Sequence, residues 1–114
     1  MEKPHRIQRK RTKGWRMPVG AVCVTRPGPF GNPFTVAGYL EIWNPKATKE
    51  QASRGCVGAF RDWLTERIDP RAKEMYCRLP ELRGKVLACW CPLGSWCHAD
   101  VLLELANRAI NPEG

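Results

Sequence analysis

Short apolar runs and helical repeats alternate along this chain, separated by joints rich in proline and glycine. The run over 20–25 (GAVCVT) is apolar and β-branched, which predicts a buried strand. It gives way to a loop over 26–35, RPGPFGNPFT, whose prolines and glycines exclude helix and ladder strand alike. Residues 36–45 read as a short helix or an edge strand through Tyr39, Leu40, Ile42 and Trp43, ended by Pro45. Thr48 followed by Gln51 is the spacing of a capping box. Beyond it Ala52, Cys56, Ala59, Phe60, Trp63, Leu64 and Ile68 recur at helical spacing, which predicts a helix over 49–67, stopped by Asp69-Pro70. A short helix over 71–79 and a turn over 80–84 follow. The run 85–90 (KVLACW) predicts a second buried strand. After a loop over 91–97, residues 98–110 form a second amphipathic helix that faces the core through Val101, Leu102, Leu105, Ala106, Ala109 and Ile110.

This order of strand, loop, helix, strand, loop, helix predicts a small α/β layer fold with a short, mostly parallel sheet and flanking helices. Two strands make a poor sheet, so the N-terminal residues or residues 36–43 are expected to add one. In such folds sites form where loops leave the C-terminal ends of parallel strands. Loops 26–35 and 91–97 both follow a strand, so they are expected to line one cleft. At 114 residues there is room for one core.

Charge divides the chain. Residues 1–16 carry seven of the nineteen basic side chains and one acidic group, a net of +6 out of +8. The sequence therefore reads as a basic arm, 1–18, followed by a nearly neutral α/β domain, 19–114. Phosphates of nucleic acid or nucleotides are the natural partners of such an arm; a solubilising tail is the plainer alternative. Within the arm Arg9, Arg11, Lys13, Trp15 and Arg16 interleave cations with an aromatic ring, a pattern that stacks on bases while the cations follow the backbone. Trp15 and Met17 could equally anchor the arm to the core. Changing Arg9, Lys10, Arg11 and Lys13 to alanine is expected to spare the fold, because these residues precede the first apolar strand. No apolar run is long enough to span a membrane, and no secretory leader is evident.

Of six cysteines, Cys89, Cys91 and Cys97 crowd into nine residues, and His98 follows the last. Cys23, Cys56 and Cys77 lie in apolar surroundings, where cysteine serves as a small core residue. Together these point to a reducing, cytoplasmic setting. Thiolates and imidazole are ligands for zinc and, less aptly here, for an iron–sulfur cluster, so Cys89, Cys91, Cys97 and His98 are candidate metal ligands. Alternate strand residues point to opposite faces, so Cys89 and Cys91 can share an ion only if the strand ends between them. The same residues suit a second chemistry. Cys97 near the first turn of a helix would be a stabilised thiolate nucleophile, with His98 as base and Asp100 orienting it or binding substrate. Three structural thiols remain the bland alternative. In loop 26–35, Arg26 is placed for a phosphate, Asn32 for a base or ribose edge, and Phe30 for stacking or for plugging the core. Gly28 and Gly31 allow a backbone to approach a ligand closely. Trp43 and Trp63 read as core, while Trp90 and Trp96 flank the cysteine loop.

Three stretches carry a wider likeness: RxKGWRMPxGAVxVxRPxxxGNPF from Arg11 to Phe34, FRDWL over 60–64, and LRGKVLACWCPLGSWCHADVLLELAN from Leu82 to Asn107. Together they resemble domain-of-unknown-function family 4326 of bacteria and phages, over about residues 6–110. The ending is also similar, more distantly, to uncharacterised family 488, which has a Cys-His pair at the same place. The resemblance implies a compact Rossmann-like α/β fold and implies no activity.

The expected function is a small nucleotide- or nucleic-acid-directed protein, in one form of the reading an enzyme, with a phosphate-binding basic arm and Arg26 loop and a Cys/His site at a strand–helix junction. The alternatives are a non-catalytic nucleic-acid-binding module with structural zinc, and a phage-type protein that binds and inhibits a host protein.

Overall fold

The computed structural model describes residues 4–26 and 28–108. Three short parallel strands form its sheet: β1 (Arg6–Gln8), β2 (Val22–Cys23) and β3 (Leu87–Cys89), in the order β1-β3-β2. The last strand in the chain is thus the central one. Its residues Leu87, Ala88 and Cys89 are all buried, as a strand paired on both sides should be. The third strand comes from the N-terminal stretch. Arg6 pairs with Leu87, Ile7 with Ala88 and Gln8 with Cys89. The other option, residues 36–43, is helical: α1 (Val36–Gly38) runs into five residues of π-helical winding, Tyr39–Trp43.

The crossover from β2 to β3 carries most of the helix. The main element, α2 (Lys49–Glu66), begins at the expected capping box, with Gln51 N donating to Thr48 Oγ1 at 3.1 Å and Thr48 N to Gln51 Oε1 at 2.9 Å. It ends at Arg67, whose left-handed φ of 55° breaks the helix. Asp69 then caps α3 (Pro70–Arg78), and a 3-10 turn over Leu79–Leu82 leads towards β3. The last helix, α4 (His98–Arg108), lies against β1, β3 and α2. Phe60, Leu64, Leu82, Leu87 and Leu102 are fully buried between these layers.

Three burial expectations change. Trp43 is 53% exposed rather than core, because the π-helical winding lays it beside Phe34 and Tyr39 at the surface. Ile68 lies past the α2 cap and is 78% exposed. Cys77 is exposed on α3, whereas Cys56 is buried. Ala109 and Ile110, expected on the core face of the last helix, fall outside the described residues. Among the described residues no helix is long and apolar enough to cross a membrane.

Candidate metal centre and the cleft above it

The C-terminal ends of β2 and β3 open onto one cleft of about 170 Å³. Loop residues Arg26, Asn32 and Phe34 line one side, and Trp90, Cys91 and Trp96 the other, so the two loops do share a site. Ser53, Cys56 and Val57 of α2 also line it.

Cys89, Cys91 and Cys97 come together beside this cleft. Their sulfur atoms all lie within 4.8 Å of one another, so the three could hold a metal ion. Cys89 is the last residue of β3, and the strand has ended before Cys91, which removes the objection from strand alternation. Cys97 immediately precedes α4 and accepts from Ala99 N at 3.5 Å. The Cys89 and Cys97 sulfurs are 3.1 Å apart and not bonded. Hydrogen bonds from Cys91 and then Cys97 hold the Cys89 thiol far below its usual range, with Arg6 adding to the effect. Hydrogen bonding to Cys89 in turn pushes Cys91 and Cys97 up.

His98 is buried and does not join that ligand group. Its Nε2 lies 2.8 Å from the Val24 carbonyl and 3.1 Å from that of Phe30. Carbonyls only accept, so the assignment of hydrogens puts the ring proton on Nε2. Nδ1 keeps its lone pair and faces Cys97 Sγ at 3.8 Å. His98 thus ties the 26–35 loop to the start of α4. Burial lowers its pKa, against the opposing pull of the Val24 carbonyl. As pH falls below the unfolded value of about 6.5, the unfolded chain takes up the proton first, so stability present above that value is lost. Urea midpoints compared at about pH 7.5 and about pH 5.5 are expected to fall less for His98→Gln than for the parent. Cys89 adds a fall of the same sign that the variant retains, and equal falls in the two proteins would refute the lowered pKa of His98.

Asp100, expected near His98, instead accepts from Arg6 Nε at 3.2 Å and is 56% exposed. Asn32 is buried and bonded inside the protein: its Oδ1 accepts from Phe34 N at 2.9 Å and its Nδ2 donates to the Cys56 carbonyl at 3.4 Å. Phe30 plugs the core at 3% exposure. Arg26 Nη1 donates to the Asn32 carbonyl at 2.7 Å, yet the residue stays exposed on the cleft wall. The tight approach at Gly31 is to protein rather than ligand, since an added Cβ would lie 3.0 Å from Arg26 Cα. In the basic stretch, Arg9 is tied to the sheet: its N donates to the Cys89 carbonyl at 2.6 Å and its Nη1 to Thr25 Oγ1 at 3.0 Å. The alanine set that includes Arg9 removes the side-chain bonds to Cys23 and Thr25 while keeping the backbone bond to Cys89, so it is expected to cost some stability. Lys10, Arg11, Lys13 and Arg16 are exposed, and Trp15 is half-buried.

One functional residue escaped the sequence reading. Arg6 was legible only as one charge among seven. Its side chain is 7% exposed and spans the cysteine loop, donating to the carbonyls of Cys91, Pro92, Leu93 and Ser95 at 2.9–3.4 Å. Its Nη1 also lies 4.0 Å from Cys89 Sγ. The one available signal was its place two residues before Gln8, on a stretch able to add a strand.

Comparison with curated proteins and with solved structures returns no match for this chain. The family comparison does: over residues 7–108 the chain matches, and so belongs to, the family described as Domain of unknown function (DUF4326).

Proposed function

We propose that this protein is a small nucleotide- or nucleic-acid-directed domain that receives a nucleotide unit in the cleft beside its three thiols. The observation that carries the reading is the cleft rim. Trp90 and Trp96 line it at 37% and 46% exposure. Arg9 and Arg11 lie 4.4 and 4.5 Å from the Trp90 ring centre, and Arg54 lies 5.4 Å from that of Trp96. Exposed indoles paired with guanidinium groups suit bases and phosphates together. Lys10, Arg11, Lys13 and Arg16 follow the C-terminal end of β1, which is parallel to β3, so they leave the sheet from the edge that opens onto the cleft. A Rossmann-like layering, with ligand at the C-terminal edge of parallel strands, agrees with that position. Zinc is the ion that best suits the trio, because iron–sulfur clusters take four cysteine ligands.

Tryptophan fluorescence titrated with a mixed-sequence single-stranded oligonucleotide tests the reading. Affinity is expected to fall steeply with salt. Changing Lys10, Arg11, Lys13 and Arg16 to alanine should flatten the log–log salt slope by about 2 to 3, at roughly 0.7 per phosphate neutralised. Trp90→Ala should lose about tenfold or more in affinity, as the loss of one stacked base does, with the slope little changed. Identical binding by parent and both variants defeats the proposal. Absence of binding by the parent favours the protein-binding alternative, for which exposed Ile42 and Trp43 beside an apolar groove supply a surface.

A further inference from the structure

We propose that Cys89, Cys91 and Cys97 hold one zinc-type divalent cation as a three-thiolate centre whose fourth coordination position opens into the cleft. That position takes water, or a nitrogen donor from a bound ligand. The inference rests on the reading above only for the nature of that ligand.

Sequence and backbone place the three sulfurs for this task. One comes from the last residue of a central strand, one from just beyond the strand end, and one from the residue before α4. Zinc–sulfur bonds of about 2.3 Å in a tetrahedron put sulfurs about 3.8 Å apart. The Cys89–Cys97 separation of 3.1 Å and the 4.8 Å limit on the group bracket that spacing. Thiolates select soft cations over magnesium and calcium, which prefer oxygen.

Among the described residues no fourth protein donor joins the three sulfurs. His98 is the nearest candidate. Its ring is held from both sides of the fold, by the Val24 and Phe30 carbonyls at Nε2 and by the Phe60 ring, edge-on with centroids 5.2 Å apart. Its Nδ1 is 3.8 Å from Cys97 Sγ, yet the ring does not lie within 4.8 Å of all three sulfurs. The Asp100 carboxylate is turned to Arg6. All three cysteines meanwhile line the cleft, which has room for several waters.

The charge balance supports the same arrangement. Three thiolates around a divalent ion leave one net negative charge. The Arg6 guanidinium supplies a positive charge 4.0 Å from Cys89 Sγ. Its hydrogen bonds to four carbonyls of the 91–95 stretch also set Cys91 in place before any ion arrives. A site with three protein ligands and one free position is the pattern of catalytic rather than structural zinc.

Cobalt(II) titration of the freshly reduced, metal-free full chain tests the proposal by absorbance. One cobalt per chain is expected, with sulfur-to-metal charge-transfer bands and the visible bands of a four-coordinate ion. Added imidazole should shift the visible bands. Cys91→Ser should weaken cobalt binding at least tenfold, while His98→Gln should keep the stoichiometry and the charge-transfer bands. Failure of the parent to take up cobalt or zinc, with its thiols shown to be reduced, overturns the site. Visible bands that imidazole leaves unmoved overturn the open position, as do bands that His98→Gln alters in a variant of native circular dichroism. The imidazole arm uses the parent alone and survives any folding defect in the variants. Oligonucleotide binding measured on the metal-free protein separates the two readings. Binding without metal uptake sinks only the metal centre, and metal uptake without binding sinks only the nucleotide reading.

Discussion

Arg6→Ala is expected to lower the free energy of unfolding by about 3 kcal/mol, since it removes charge-assisted hydrogen bonds to several carbonyls at once. The guanidinium reaches four carbonyls between Cys91 and Ser95 and the Asp100 carboxylate, from a side chain only 7% exposed. Asp100 itself is 56% exposed, so water can take over its pairing and it contributes little to the loss. Most of the cost falls on the cysteine loop, whose carbonyls converge on a centre they no longer have. Urea unfolding should show the midpoint moving by about 1 to 3 M, given slopes typical of small domains. Arg6→Lys should recover less than half of the loss, because one compact ammonium cannot span carbonyls that a planar fork reaches from two sides. A fall of less than about 0.5 kcal/mol for Arg6→Ala, the range of ordinary surface changes, would show that the clamp is dispensable.

Phe60→Ala should cost more, about 3 to 5 kcal/mol, as a buried aromatic truncated to a methyl group leaves a cavity that the surroundings fill only in part. Phe60 is completely buried in the middle of α2, with its ring edge-on to His98 and tilted against Trp63 at 5.9 Å. Phe60→Leu keeps most of the volume and should cost less than about half as much. The two variants also separate stability from site geometry, because both loosen the support of His98 while leaving every thiol in place. A midpoint within experimental error of the parent for Phe60→Ala would mean that α2 and α4 do not pack through this ring.

Much of the secondary structure was written locally. The capping box at Thr48 and Gln51 and the helical spacing that follows place α2 to within one residue of its observed end. The apolar runs at 20–25 and 85–90 contain β2 and β3, though each strand is shorter than its run because pairing with a short neighbour limits the ladder. Proline and glycine in 26–35 mark a loop. These features depend on residues a few positions apart, so the chain alone determines them. The clustering of Cys89, Cys91 and Cys97 near a strand–helix junction was legible for the same reason.

The site was not legible in that way, because its parts meet across the chain. The stretch Arg6-Ile7-Gln8 becomes a strand only through pairing with Leu87–Cys89, and nothing in its own polar composition signals it. A count of charges cannot tell a buried clamp from a phosphate-seeking cation, and Arg6 meets Asp100 from 94 residues away. His98 carries the same name as a metal ligand or as a tie between loops. Its contact with Val24, 74 residues distant, made it the tie. Local pattern was enough for the three longer helices, the two apolar strands and the presence of a thiol cluster, since hydrophobic spacing, caps and breakers act within a turn or two of the backbone. The cleft shared by two loops also followed from the order of strands and loops; which of two stretches adds the third strand, and that His98 stays out of the thiol centre, came from packing, because those follow from which distant surfaces exclude water together.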